Sequence, residues 1–208
     1  MPLALSPLAR TLRIAAVVGA CTLLASCANV GKLFGNIVSD SPMAGTSVFT
    51  LWSPTFKDGA FLEQKHAGNL STNPNCVGQN VSPSLRWANL PAGTKSLAML
   101  VHDQEGRSGL GVAHWVAYGI APTVTGFAEG EITGPSPKYV GGKSTLNIPG
   151  YMGPCPPVNT GHHHYVFTAI ATDVEPGALP AGLTMLELLE RLNGRAKGAS
   201  SIVLRYGR

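Results

Sequence analysis

Residues 96–106, SLAMLVHDQEG, decide the fold class. An apolar run of strand length passes directly into the carboxylate of Asp103 and then into a turn. Five other runs of this kind follow the same pattern, with Pro and Gly turn signals between them, and this spacing favours an antiparallel β architecture over repeated βαβ units. The six predicted strands cover residues 48–52, 84–87, 96–101, 114–120, 165–172 and 201–206.

One segment departs from the β pattern and predicts an amphipathic helix. Thr184 and Glu187 have the spacing of a capping box, and Gly194 supplies a left-handed residue after the last turn. We expect the apolar stripe to pack against the sheet, with partner binding as the alternative. The stripe consists of Met185, Leu188, Leu189 and Leu192.

The composition limits the function classes. The 208 residues include 25 Gly and 16 Pro, and only 12% are charged, about half the usual fraction, which indicates one loop-rich domain rather than a coiled coil. The net charge of +4 is spread thinly along the chain. A nucleic-acid partner is therefore not expected, because phosphate-backbone binders cluster their cations.

Residues 1–26 have the layout of a secretory signal. Two arginines precede an apolar run, residues 14–25, which is shorter than the roughly 20 residues that span a bilayer. The run ends in Leu24-Ala25-Ser26-Cys27, which resembles the bacterial lipoprotein signal. The resemblance implies cleavage before Cys27 and a lipid on its thiol. The alternatives are ordinary cleavage near the same position, or cleavage before Cys21. The predicted location is a bacterial cell envelope, with the protein anchored to a membrane.

The rest of the chain divides into a tether and a domain. Residues 27–46 are rich in Gly and Ser without sustained periodicity, which predicts a flexible tether, with an added strand or helix as the alternative. Residues 47–208 form the predicted domain. An exported protein folds in an oxidising compartment, so we expect a Cys76–Cys155 disulfide, with two buried thiols as the alternative.

Polar residues interrupt the apolar strands at three places. Asp103 ends one strand, His114-Trp115 begins another, and the stiff segment 153–157, GPCPP, leads into 161–165, GHHHY. Taken singly, a strand-end Asp is an ordinary turn former and a lone His beside Trp is an ordinary buried side chain.

Together these places resemble the phosphatidylethanolamine-binding protein family, most closely its bacterial, Raf kinase inhibitor-like branch. The resemblance extends from about residue 48 to residue 208. It rests on residues 80–87, NVSPSLRW; 91–97, PAGTKSL; 114–115, HW; 142–143, GK; 150–157, GYMGPCPP; 163–165, HHY; and 206–208, YGR.

The resemblance implies a mainly β fold with one large and one small antiparallel sheet, Greek-key connections and a few flanking helices. It also implies a small surface pocket for anionic, phosphate-bearing groups and a non-catalytic role without a cofactor. Tyr206 is a candidate wall at the end of the chain. The implied ligand-binding residues are Asp103, His114, Gly153, Pro154, Pro156, His163 and Tyr165.

The residue types suit an anion. Imidazole and phenol groups donate hydrogen bonds to phosphate oxygens, and a Pro-rich loop has little freedom to lose on binding. We expect Asp103 to accept from an imidazole N–H, which fixes the tautomer and raises the pKa of His114 or His163.

Three departures from the family bear on the pocket. The prolines of its Asp-Pro-Asp-Ala-Pro turn are missing from residues 103–107, DQEGR, so we expect a looser loop, with Arg107 solvated or contributing to anion binding. Ser144 replaces an Asn, which puts one contact in doubt. His162 and His164 should point away from His163 along an extended strand.

Other functions use the same residues. Asp103, His114 and His163 could bind a metal ion or act as the acid–base groups of a hydrolase, although only Ser108 suggests a nucleophile and no catalytic motif accompanies it. A role as an inhibitor or scaffold of a protein partner, with the pocket binding a phosphorylated side chain, is compatible with anion binding.

Overall fold

The computed structural model describes residues 47–148 and 150–208. The predicted signal peptide, the lipidation of Cys27 and the tether at 27–46 lie outside these residues. In the described part of the chain, no helix has the length and apolar character needed to cross a bilayer.

All six predicted strands are present, with shifted ends. Two additional strands have only two residues each, too short for a periodic pattern. The strands are β1 (Thr50–Trp52), β2 (Leu85–Ala88), β3 (Ser96–Asp103), β4 (Val112–Ile120), β5 (Gly126–Phe127), β6 (Val140–Gly141), β7 (His162–Thr172) and β8 (Ala196–Gly207). The helical elements are a 3-10 turn (Gln64–His66), α1 (Gly106–Gly109) and α2 (Met185–Leu192).

The strands form two antiparallel sheets, as predicted. The small sheet has the order β1-β2-β5, and the large sheet has the order β6-β4-β3-β7-β8. Within the large sheet, β7 returns beside β3, so β7-β3-β4-β6 follows the Greek-key order. This return is what brings the ends of β3, β4 and β7 together.

The central strand β3 is buried on both faces, which explains its continuous apolar sequence. Leu97, Met99 and Val101 belong to the core that includes small-sheet residues, whereas Ala98 and Leu100 belong to a second core. Alternate residues of a strand point to opposite faces, so the large sheet has a packed layer on each side.

The second core is completed by α2. Leu188 and Leu192 are buried there, and Thr184 and Glu187 form the predicted capping box. The prediction that α2 packs on the sheet is confirmed. Its buried stripe is narrower than predicted, because Leu189 remains 40% exposed.

Candidate functional site

Asp103 is the last residue of β3, and it is buried with 3% of its surface exposed. Its Oδ1 accepts hydrogen bonds of 3.0 Å from the backbone amides of Glu105 and Gly106. Its Oδ2 lies 2.8 Å from Nδ1 of His163 and 4.0 Å from Nε2 of His114. The carboxylate is therefore both a turn former and the acceptor for an imidazole, so the two interpretations of this residue both hold.

The strand β7 presents His163 and Tyr165 beside Asp103, because Tyr165 is directly opposite Asp103 in the register. His163 donates from Nδ1 to the Asp103 carboxylate, and its Nε2 lies 3.4 Å from Oγ1 of Thr160. His163 and Tyr165 are buried, whereas His162 and His164 are exposed. The predicted alternation of the histidine tract is confirmed.

The two flanking histidines make other contacts. His164 lies 2.8 Å from Oε1 of Glu105, and His162 packs edge-on against Phe61. Burial of Glu105 would raise its pKa, but the hydrogen bonds from His164 outweigh this and lower the pKa to about 2. The loop after Asp103 is thus held to β7 by hydrogen bonds between Glu105 and His164.

His114 is buried near the start of β4, and its ring orientation is fixed by a backbone carbonyl. Its Nδ1 lies 2.7 Å from the oxygen of Met152, and a carbonyl only accepts, so Nδ1 carries the proton. Burial lowers the pKa of His114, and the Met152 carbonyl and the charge of Asp103 offset only part of this effect. The neutral ring therefore has a bare Nε2, on the side nearest Asp103.

The buried phenol of Tyr165 contacts both imidazoles. Its ring lies edge-on to that of His114, with 5.1 Å between centroids, and is stacked with that of His163 at 6.4 Å. Burial and the charge of Asp103 raise the pKa of Tyr165. The hydroxyl therefore stays protonated and available as a donor.

Gly153 and Pro154 hold the Pro-rich loop in place through backbone hydrogen bonds. The amide of Gly153 donates to Oδ1 of Asn80 at 2.7 Å, and the carbonyl of Pro154 accepts from the amide of Gly68 at 2.8 Å. A Cβ at position 153 would lie 2.2 Å from the carbonyl oxygen of His66, so only glycine fits. Both residues position the loop.

Cys76 and Cys155 form the predicted disulfide, with 4.6 Å between their Cα atoms. The bond joins the loop that contains Asn73 and Asn75 to the Pro-rich loop. Because these loops form two walls of one cavity, the disulfide sets the separation of the walls.

The cavity has a volume of about 250 Å³ and lies where β3, β4 and β7 meet. Five of the predicted ligand-binding residues line it, namely Asp103, His114, Pro156, His163 and Tyr165. Gly153, Pro154 and Tyr206 are not among its lining residues. Tyr206 is buried on β8, opposite His163.

Several lining residues were not predicted. Asn73 and Asn75 both lie within three residues before Cys76, and this proximity to the predicted disulfide is the signal that could have revealed them. The other unpredicted lining residues fall into two groups. Four belong to segments that the sequence analysis had already identified, namely Gly106, Met152, Cys155 and Pro157. The remaining two, Val112 and Leu146, have no distinguishing sequence signal.

Arg107 lies at the edge of the cavity, in the turn α1. Arg107 and Ser108 both have left-handed backbone angles, with φ of 53° and 59°. The amide of Gly111 donates to the carbonyl of Gly106 at 2.9 Å and closes this turn. These bonds act together with the two amides held by Asp103 to restrain the loop.

Ser144 does not take part in the cavity. Its hydroxyl accepts from the amide of Ile148 at 2.9 Å, within its own turn.

The metal-site alternative finds no support in the geometry. Nδ1 of His163 faces Asp103 as a donor, and Nδ1 of His114 is committed to Met152. Among the residues that the structure describes, no group of three or more His, Cys, Asp or Glu side chains is arranged to hold a metal ion.

Comparison with known proteins agrees with the fold. The family described as phosphatidylethanolamine-binding protein matches residues 52–207. LppC of Mycobacterium tuberculosis, by name a lipoprotein, is 36% identical over 166 residues, which cover 78% of this chain and 74% of LppC. A UPF0098 protein of Aquifex aeolicus is 30% identical over 168 residues, 79% of this chain and 92% of that protein.

Two solved bacterial structures are similar. Escherichia coli YbcL, described as a member of the mammalian PEBP family, has a TM-score of 0.69 and 29% identity, covering 77% of this chain and 98% of YbcL. CT736 of Chlamydia trachomatis, described as a homologue of phosphatidylethanolamine-binding protein, has a TM-score of 0.66 and 29% identity, covering 78% and 99%. This chain therefore belongs to the phosphatidylethanolamine-binding protein family, among its bacterial members.

Proposed function

We propose that the domain is a non-catalytic binding protein for small phosphate-bearing ligands, which enter the cavity beside Asp103. The observation that carries this proposal is the convergence of two buried imidazoles and a buried phenol on one small cavity. Cavities for drug-sized ligands begin at about 300 Å³, so a volume of about 250 Å³ suits a head group or a single phosphorylated side chain.

The proton positions determine which ligand state binds. His114 has its proton on Nδ1, so its Nε2 can donate to a phosphate oxygen only after the ring takes up a second proton. In the neutral ring, Nε2 instead accepts from a phosphate hydroxyl. In either case the complex holds one more proton than the neutral His114 ring and the fully ionised phosphate hold when they are apart. Binding should therefore strengthen as the pH falls.

Asp103 orients the site rather than contacting the phosphate. Its Oδ1 is occupied by two backbone amides and its Oδ2 by His163. A carboxylate in direct contact with an anion would repel it. The His163 ring, donating to Asp103, is suited to lie between the two groups.

The lining side chains support a binding role over a hydrolytic one. Among the described residues that line the cavity, Tyr165 is the one hydroxyl-bearing side chain, and Cys155 is held in the disulfide. Ser108, the candidate nucleophile suggested by the sequence, is not a lining residue.

We further propose that the protein is lipid-anchored at Cys27 on a bacterial cell envelope and acts there as an inhibitor or scaffold of a protein partner. The support for the anchor is the sequence before Cys27, together with the name of LppC, which is 36% identical.

The test of the proposed ligand is calorimetric titration of phosphoethanolamine into residues 47–208. The matched part of this chain covers 98% or more of two solved relatives, so these residues make up a complete fold. After metal chelation we expect saturable binding at about pH 6 that weakens by about pH 8. Absence of heat at both pH values would overturn the proposal.

A further inference from the structure

A second depression begins on the other side of Arg107. This groove has a volume of about 700 Å³ and runs between the α1 turn, the turn after β6 and the start of α2. Arg107 also lines the phosphate cavity, so the two sites share a wall.

The charged side chains of the groove are both basic. Arg107 and Lys143 line it, and none of its lining residues in the described part of the chain is acidic. Neither Arg107 nor Lys143 makes a salt bridge to a described carboxylate, in contrast to Lys95 and Lys138. The nearby Glu187 accepts from the amide and hydroxyl of Thr184 at 2.8 Å. The charge of Lys143 also lowers the pKa of Glu187, so this carboxylate lies within electrostatic reach of Lys143 without forming a salt bridge with it. Neither cation is therefore held in a salt bridge that an anionic partner would have to displace.

The groove also exposes large apolar side chains. Leu110 is 78% exposed and Leu186 is 67% exposed. Single exposed leucines are common on protein surfaces, but two that line one groove are a surface that a partner can bury. Met185 lies beside them and can adapt its shape to a guest.

Hydrogen-bonding groups also line the groove. Thr145 and Asn147 are both exposed in the turn that follows β6. The hydroxyl oxygen of Thr145 accepts from the amide of Ala113 at 2.8 Å, which leaves its proton to donate elsewhere. The backbone of a bound peptide needs hydrogen-bond partners when it is buried, whereas a lipid acyl chain has no groups that need them.

We propose that this groove binds an acidic peptide segment with a large apolar side chain, presented by a protein partner. The inference rests on the partner role of the proposed function but not on phosphate binding. Acidic side chains pair with Arg107 and Lys143, and the apolar side chain packs between Leu110 and Leu186. A flat membrane surface matches the charge but cannot enter a concave groove.

The test uses residues 47–208 and a fluorescein-labelled decapeptide of alternating Asp, Glu and Leu, followed by fluorescence anisotropy. We expect saturable binding that weakens when the ionic strength rises from about 0.05 to about 0.3 M. A peptide with Lys in place of each acid should not bind. The variants K143Q and L186S should each weaken binding about two- to fivefold, the range of one exposed interaction.

Matched controls separate this proposal from the phosphate site. K57Q and L189S change an exposed lysine and an exposed leucine outside the groove and should leave peptide affinity unchanged. H163A should lower phosphoethanolamine affinity without affecting the peptide. Equal peptide affinity in the wild type and K143Q, or binding to anionic vesicles in place of the peptide, would overturn the groove assignment.

Discussion

Nδ1 of His163 lies 2.8 Å from Oδ2 of Asp103, and both side chains are more than nine-tenths buried. The pair links the end of β3 to the start of β7, next to the loop that borders the cavity. A buried carboxylate is stable only when its oxygens are satisfied, and here all of its partners come from residues around the cavity. The same contacts therefore fix the loop and orient the imidazole.

Replacing Asp103 by Asn should lower the pKa of His114 below its wild-type value. The Asn oxygen can still accept from the amides of Glu105 and Gly106, but the negative charge that raises the pKa of His114 is lost. The measurement is an NMR titration of the His114 ring. A pKa that stays constant or rises in D103N would contradict the proposed electrostatics.

The free energy of unfolding should decrease as the pH falls below about 6.5, the usual pKa of a histidine in an unfolded chain. Burial lowers the pKa of both His66 and His114 in the folded protein. The unfolded chain therefore binds more protons in this range, and acid favours it. Urea denaturation in phosphate-free buffer at about pH 7.5 and 5.5 measures the difference. Equal or greater stability at the lower pH would rule out this linkage.

Removing the disulfide should destabilise the fold and weaken phosphate binding together. The bond closes a sequence separation of 79 residues, and loss of such a bond costs about 2–5 kcal/mol. The double variant C76S/C155S should therefore unfold at lower denaturant concentration, and its phosphoethanolamine affinity should fall because the two loop walls are no longer joined. Detection of two free thiols in the wild type by non-reducing peptide mapping would contradict the bond itself.

Substitution of Cys27 by Ala should abolish lipid attachment when the full chain is expressed in a bacterial host. The expected cleavage is before Cys27, so radiolabelled fatty acid should enter the wild type and not C27A. C21A is the matched control and should remain labelled. Labelling that survives C27A but is lost in C21A would move the cleavage site to the earlier cysteine.

The sequence was sufficient to predict the long strands and the capped helix, because their apolar patterns are extended. The strands β5 and β6 were not predicted, because each has only two residues and is too short to show an apolar pattern. The start of β7 was placed too late, at Tyr165 rather than His162, since a polar histidine tract has no hydrophobic signal. Pairing with β8 is what extends this strand.

Part of the site could also be predicted from the sequence. Asp103, His114 and His163 occur at strand ends, and the resemblance to a family indicated that these ends meet. The roles of Gly153 and Pro154 could not be assigned, because they depend on close packing against the backbone at residues 66–68. The proton position on His114 also depends on a tertiary contact, the Met152 carbonyl.

The most direct test of the central claim is calorimetric titration of phosphoethanolamine at about pH 6 into the wild type, H163A and H162A. His163 lines the cavity, whereas His162 is an exposed neighbour. We predict that H163A weakens binding by about 1–3 kcal/mol, the range for a lost charged hydrogen bond, and that H162A has the wild-type affinity. Wild-type affinity in H163A would contradict a phosphate site built on Asp103 and its two histidines.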